Sequence, residues 1–251
     1  MSVAVIITAS GSGMRLGGDM PKQFQPIGGK PILAHTMAAF SHVDIVSKIV
    51  VTAPAEYVNH TWEIAKANGL HKVRAVIAGG DSRADSIYAA LKALPFVGTG
   101  PDNLQTADKS HSASGIVLIH DGVRPFVSEE LIRAVAKTAH SHGAAIAGTP
   151  LTDTIKEVDG KSKVISTPDR SRFWCVQTPQ GFTYDLLMKA YTRGEKDGTL
   201  TNATDDSMLV ERLGVTVHMV AGDTGNIKIT TPEDLAVGEV LLRDGQGVVK
   251  A

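Results

Sequence analysis

A single cysteine, Cys175, and an aromatic content of 5% leave this chain without two common sources of rigidity. One thiol cannot close an internal disulfide, and it suits a reducing compartment, where such a residue is expected to be a small buried hydrophobe. No apolar run approaches the ~20 residues that span a bilayer. The apolar stretch that begins at Val3 is expected to leave no room for a signal or transit peptide, so the expected location is cytoplasmic. Charge of one sign is lacking too: 25 Lys and Arg stand against 26 Asp and Glu, a net charge of −1. That balance excludes the broad basic field that nucleic acid or an acidic membrane would need, so any phosphate site must be local. His35, His60 and His120 have no paired spacing for zinc and read as structural, with His120 shaping the turn before Asp121.

What is present is enough for a sizeable core. With 251 residues, 43% of them hydrophobic, the chain reads as a single domain over residues 1–251. Apolar runs at 3–7, 49–51, 73–77, 116–119 and 144–147 alternate with helical patterns at 31–40, 58–67, 85–94 and 129–142. This alternation predicts an α/β fold with right-handed crossovers and a doubly wound, mostly parallel sheet of Rossmann-like type. Functional loops then belong at the carboxyl ends of the strands, which gathers residues 9–23, 79–83, 120–125 and 150–154 on one rim.

Two segments break the rhythm. Residues 96–115 are rich in Gly, Ser, Asp and Asn and read as a long surface insertion. Between residues 151 and 176 the helical period vanishes, and Thr154–Val158 and Lys163–Ser166 flank Asp159-Gly160, a favoured hairpin turn. These β-branched residues have little of their own to pack on, so a β-arm that leaves the body and crosses to a second subunit in a two-fold homodimer is expected. Beyond it, helices are predicted at 184–191, 205–213 and 232–242, and strands at 215–220 and 226–230.

The stretch Ala9-Ser10-Gly11-Ser12-Gly13-Met14-Arg15-Leu16-Gly17-Gly18-Asp19-Met20-Pro21-Lys22-Gln23 follows the first strand. Its glycines let backbone N–H groups approach an anion, and Arg15 and Lys22 frame the loop, which suits a polyphosphate. A Walker A loop would need Gly-Lys-Ser/Thr, which is missing. A dinucleotide fingerprint would place glycine where Leu16 stands and an acidic residue near Val51. A nucleotidyltransferase loop, Gly-x-Gly-x-Arg followed by Pro-Lys, is the third reading, and an ordinary strand–helix turn stands against all three.

Further motifs narrow the choice. The loop, His120-Asp121-Gly122-Val123-Arg124-Pro125, Thr152-Asp153-Thr154-Ile155-Lys156, Thr167-Pro168-Asp169-Arg170, Gln177-Thr178-Pro179-Gln180 and Asn226-Ile227-Lys228-Ile229-Thr230 occur in order. Together they resemble the 2-C-methyl-D-erythritol 4-phosphate cytidylyltransferase family over nearly the whole chain. Ser10, Thr8 and Gly122-Val123 depart from the residues usual in that family, but small side chains are retained. The resemblance implies an enzyme that joins CTP to methylerythritol phosphate with release of pyrophosphate, in the non-mevalonate isoprenoid pathway, assisted by Mg²⁺.

It also implies roles. Arg15, Lys22 and Lys228 would be catalytic cations around the triphosphate. Ala9, Ser10, Gly11, Gly13, Gly80, Asp81 and Ser86 would bind the nucleotide, with Asp85 or Ser86 alternatively capping the following helix. Asp121, Arg124 and Thr204 would line the acceptor pocket, while Thr154 and Arg170 would reach the acceptor phosphate from the neighbouring subunit. Thr204 could instead cap a helix. Mg²⁺ would sit mainly on the triphosphate, with Asp121 a possible ligand. The sister family that makes CDP-ribitol from ribitol 5-phosphate, and a nucleotide-binding module without chemistry, are the two alternatives.

Overall fold

The computed structural model describes residues 1–11, 20–94 and 115–245. Its centre is a seven-stranded sheet built from β1 (Val3–Thr8), β4 (Val46–Ala53), β5 (Val73–Ala78), β6 (Ile116–Asp121), β7 (Ala144–Pro150), β10 (Trp174–Thr183) and β11 (His218–Ala221). The spatial order is β11-β7-β10-β6-β1-β4-β5. All neighbours pair in parallel except β10, which runs antiparallel to both β6 and β7.

The strands alternate between two buried faces. On β1, Val3, Val5 and Ile7 join a core with α1 (Ile32–Ser41), α2 (Val58–Ala67) and α4 (Glu129–His142), whereas Ile6 faces α3 (Arg83–Ala93), α5 (Tyr184–Lys196) and α6 (Asp206–Glu211). β4 and β6 repeat the pattern, with Val50, Val117 and Ile119 on the second face. A two-sided core of this kind is why these strands read as continuous apolar runs rather than as alternation.

The chain passes from β1 to β4 and β5 on one side, then returns to place β6 on the other side of β1. This reversal opens a crevice at the carboxyl ends of β1 and β6, the place where doubly wound sheets bind ligands. A small hairpin, β2 (Pro26–Ile27) with β3 (Lys30–Pro31), turns through Gly28 and Gly29. Both glycines have positive φ, 55° and 76°, as the tight hairpin turn demands. It packs Ile27 on a third cluster with Phe126, Ile229 and residues of α7 (Pro232–Arg243).

Several expectations need correction. Residues 226–230 form no strand: Ile229 N–H donates to the Val123 carbonyl at 2.9 Å, and the segment is tied to the 120–124 loop instead of to the sheet. The strand expected at 215–220 is shorter and later, at His218–Ala221. β10 was not anticipated as a strand at all. Its register shifts between Val176 and Gln180, and its buried Gln177, Thr178 and Gln180 disguise a sheet member as a polar loop. The expected insertion at 96–115 lies outside the described residues apart from Gly115.

The arm is present in a different form. β7 and β10 continue as a ladder to the Pro150–Trp174 pair, and beyond it β8 (Glu157–Val158) pairs with β9 (Val164–Ser166). The connection is longer than a two-residue Asp-Gly turn. Asp159 Oδ1 accepts from the N–H groups of Lys161 and Lys163, and Ser162 takes a positive φ of 60°. No residue from 151 to 176 is buried in the isolated chain, and Val158, Val164, Ile165, Phe173, Trp174 and Val176 are exposed. Cys175 lies there too, exposed and not in the core, because the outer half of β10 has no second layer above it. No helix among the described residues is long and apolar enough to cross a membrane.

Candidate active site at the switch-point crevice

Four loops converge on a cleft of about 420 Å³: residues 8–11 after β1 with Lys22 and Gln23, residues 80–83 after β5, Asp121 and Val123 after β6, and Lys228. Ala9, Ser10, Gly11, Lys22, Gly80, Asp81, Asp121 and Lys228 are thus brought together as expected from sequence, with Arg124 beside Asp121. Arg15 and Gly13 lie outside the described residues. Thr154, Arg170 and Thr204 do not line this cleft. Arg170 donates instead to the Thr152 carbonyl at 2.6 Å within the arm. Thr204 is exposed one residue before Asp205, whose carboxylate accepts from Met208 N–H and caps α6.

The walls are held by short polar contacts. Gln23, almost fully buried, donates from Nε2 to the carbonyls of Ala9 at 2.6 Å and Gly11 at 3.1 Å, so it fixes the path of the β1 loop. Ser82 and Asp85 form the capping box of α3, and Ser86 does not cap it. Ser86 lies beneath the loop: its hydroxyl donates to the Ser82 carbonyl and accepts from Gly80 N–H at 3.0 Å. A hydroxyl carries one proton, so Ser10 must donate to Ser86 at 2.8 Å, and Thr52 to Ser10 at 3.4 Å. This one-way relay locks the loop after β1 to the loop after β5.

Asp121 is the electrostatic centre. Its Oδ2 lies 2.9 Å from Lys228 Nζ and 3.5 Å from Arg124 Nε, and its Oδ1 lies 3.7 Å from Arg83 Nε. Burial opposes its charge, but Lys228, Arg83 and Arg124 outweigh that cost and hold the carboxyl well below the usual carboxylate range. Without its charge the cations around it would repel one another. The excess of positive charge makes the cleft a receptor for anions.

The same surroundings bear on a metal. Both oxygens of Asp121 already face cations, and no group of three or more His, Cys, Asp or Glu is placed to hold an ion among the described residues. Among the described residues the protein's own donors do not form a divalent-cation cage.

His120 sits behind Asp121, fully buried, and its hydrogen bonds fix a single tautomer. A carbonyl can only accept, so Nε2–H donates to the Arg124 carbonyl at 3.0 Å. Nδ1 then accepts from the Thr178 hydroxyl at 3.0 Å, and Thr178 Oγ1 accepts from Asp121 N–H at 3.1 Å. Asn226 donates to the Thr178 carbonyl at 2.9 Å, and Arg124 Nη1 donates to the Asn226 carbonyl at 2.7 Å, which holds the Lys228 segment in place.

Burial pushes His120 down to about 4. Unfolded histidine titrates near ~6.5, so between those values the unfolded chain binds a proton that the folded chain refuses. Stability contributed by the neutral ring is complete above ~6.5 and is lost as pH falls toward 4, by about 3 kcal/mol. Urea unfolding at pH 7 and pH 4.5 should reveal this loss. His120→Phe, less stable at pH 7, should have a flatter pH dependence across the window, and an unchanged slope would remove His120 as its cause.

Sequence reading missed Arg83, Gln23, Thr178 and Asp206 as contributors. Gln23 and Thr178 stand within the motifs and Arg83 within the 79–83 loop, so their position alone could have flagged them. Asp206 comes from a remote predicted helix and carries no signal of a place beside the cleft.

A doubly wound sheet with a glycine loop after β1, an anion-receptive cleft at the switch point and an antiparallel strand inserted beside β6 defines an α/β nucleotidyltransferase. The family model for 2-C-methyl-D-erythritol 4-phosphate cytidylyltransferase (IspD) matches residues 3–244. The chain belongs to that family. A protein of that name from Alkaliphilus oremlandii is 42% identical over 242 residues, covering 96% of this chain and 94% of its own. One from Halalkalibacterium halodurans is 39% identical over 244 residues, covering 97% and 98%. The crystal structure of the Thermus thermophilus protein is 32% identical with a TM-score of 0.74, covering 97% of this chain and 100% of its own. The 4-diphosphocytidyl-2C-methyl-D-erythritol synthase of Anaerococcus prevotii is 29% identical with a TM-score of 0.77, covering 96% of each chain.

Proposed function

We propose that this protein joins CTP to 2-C-methyl-D-erythritol 4-phosphate, giving CDP-methylerythritol and pyrophosphate in the non-mevalonate route to isoprenoids. The observation that carries the reading is the meeting of Lys22, Asp121 and Lys228 in one cleft at the switch point. A nucleotide sensor would need Lys22 on the triphosphate side and not Asp121 and Lys228 on the acceptor side. A phosphate monoester has its second pKa near ~6 and is largely a dianion at neutral pH, so it attacks without a general base. One of its oxygens bonds to the α-phosphorus of CTP, the bond from that phosphorus to the β-phosphate oxygen breaks, and pyrophosphate leaves with the electron pair.

The difficulty of the reaction is charge, and the cations answer it. Lys22, with Arg15 assigned beside it by the family motif, stabilises the triphosphate and the departing pyrophosphate. Lys228 approaches the α-phosphate from the acceptor side. Asp121 accepts from the acceptor's hydroxyls, and Arg124 supports that pocket. The backbone of Ala9, Ser10, Gly11, Gly13, Gly80 and Asp81 surrounds the nucleotide, and Ser86 acts from below by holding Gly80 and Ser10 together. Mg²⁺ would be held mainly by the triphosphate oxygens of CTP, where it would supply further neutralisation of charge.

The arm makes the enzyme a homodimer. Its exposed apolar residues supply a surface for a second copy, and Thr154 and Arg170 then serve the neighbour's acceptor phosphate, for which a guanidinium is well shaped. The protein acts as a single domain, 1–251, with the arm at 151–176, in the cytoplasm.

Pyrophosphate release from purified protein, CTP and Mg²⁺ tests the reading with either of two acceptors. Release with methylerythritol phosphate is expected. Release with ribitol 5-phosphate alone would reassign the acceptor, and release with neither would leave a binding module. The loop contact has its own test. A Cβ on Gly79 would stand 2.2 Å from Ser10 Cβ, so Gly79→Ala must part the two loops. CTP binding by calorimetry is expected to weaken by about tenfold or more, with about 1–3 kcal/mol lost from stability by overpacking. Unaltered CTP affinity would place this loop junction outside the nucleotide site.

A further inference from the structure

Arg83 begins α3, yet its side chain ties that helix both to Asp121 in the cleft and to Asp206 in α6. Its Nη2 donates to Asp206 Oδ2 at 2.7 Å, while its Nε faces Asp121 Oδ1 at 3.7 Å. Asp206 is fully buried and well anchored: the Tyr191 hydroxyl donates to its Oδ1, and its own N–H donates to Gln180 Oε1 at 3.1 Å. One end of the guanidinium is therefore fixed to the body of the fold through α6 and β10. The other end reaches the active-site carboxylate.

The two oxygens of Asp121 are treated differently. Oδ2 faces Lys228 and Arg124, at 2.9 and 3.5 Å, and Oδ1 faces Arg83. Lys228 is a flexible point charge on an extended segment and cannot define the plane of a carboxylate by itself. A guanidinium held rigidly on the opposite side can, because its planar fork addresses two acceptors in a fixed relation.

We infer that Arg83 is a positioning residue for the acceptor, acting through Asp121: clamped by Asp206, it sets the orientation in which Asp121 meets the polyol hydroxyls. The inference rests on the reading of Asp121 as an acceptor-binding group. It also explains why an arginine at the end of the loop proposed for the nucleotide is turned toward the other substrate. The donor and acceptor halves of the cleft share one rigid strut.

Steady-state kinetics with each substrate varied in turn tests this on two variants. Arg83→Lys keeps the charge opposite Asp206 but loses the fork. The double variant Arg83→Gln/Asp206→Asn replaces the buried ion pair by a neutral hydrogen-bonding pair, so no lone buried charge is left to unfold the chain. Both are expected to raise KM for the polyol phosphate by about tenfold or more while KM for CTP stays within about twofold of wild type. Asp121→Asn should then cost less activity in the Arg83→Lys background than in the wild type, since the orientation it would remove is already lost. Equal rises in both KM values, no rise in either, or full additivity with Asp121→Asn would overturn the inference. Failure of the wild-type protein itself to use the polyol phosphate would instead overturn the functional reading on which it stands.

Discussion

Lys22→Ala is expected to fold like the wild type and to turn over about 10²–10³ times more slowly, the usual cost of removing one pre-organised donor from a developing anionic transition state. Lys22 is partly buried in a 3-10 turn, Lys22–Phe24, and its neighbours help anchor that turn. Gln23 binds the Ala9 and Gly11 carbonyls, and Phe24 stacks on Tyr57 with ring centroids 4.7 Å apart. The catalytic loss follows from charge. A dianionic phosphate must come within bonding distance of a triphosphate, and each pair of like charges near ~4 Å repels by roughly 4 kcal/mol at an effective dielectric of 20. Removing one cation restores part of that repulsion, more in the crowded transition state than in the ground state, so the loss belongs mainly in kcat. Circular dichroism and melting temperature establish the fold, and initial rates of pyrophosphate release give kcat. A folded variant with near-normal kcat would take Lys22 out of the chemistry.

The same loop explains how far sequence reading can go. The alternation of apolar runs and helical patterns was legible because the central stretches of β1, β4 and β6 are buried on both faces and are apolar throughout. Helix α4 has the bounds its helical pattern predicts, 129–142, and Ser128 caps its start. β10 was illegible for the opposite reason. It inserts polar Gln177, Thr178 and Gln180 between β6 and β7 to serve as ligands for other loops, so its side chains answer to Asp223, His120 and Asp205. The 226–230 segment looked like a strand because Ile227 and Ile229 flank Lys228, but Ile229 enters a side cluster with Phe126 and the segment never reaches the sheet.

The cleft divides in the same way. Residues beside glycines or within short motifs, such as Ser10, Gly80, Asp121 and Lys228, could be singled out by position. The pairing of Arg83 with Asp206 could not, because the two stand 123 positions apart and meet only when α3 and α6 come to the same side of the sheet. Asp121 illustrates the difference in chemistry. Sequence left it open between an acceptor-binding group and a metal ligand. Three cations around one buried carboxylate argue for an organising role toward hydroxyls and against a dication.

Neither Lys22→Ala nor Arg170→Ala protein is expected to be active alone, yet mixing them should restore activity, and this outcome depends on the proposed dimer. Arg170 lies in the exposed arm and does not line the cleft of its own chain. A phosphate-binding role for it thus needs the arm of one subunit to reach the cleft of another. In a heterodimer of the two variants, one cleft combines the Lys22→Ala body with the Arg170→Ala arm and carries both defects. The other combines an intact body with an intact arm. Random exchange of equal amounts makes half of the dimers mixed, each with one good site of two, so recovery should reach about one quarter of the wild-type rate. The exposed apolar residues of the arm, Phe173 and Trp174 among them, should become buried in that assembly, so exchange requires partial dissociation first. Activity followed during co-incubation, with sedimentation to establish the dimer, gives the answer. Dimers that exchange subunits and still regain nothing would mean that each site is built within one chain, and Arg170 would then have no part in binding the acceptor.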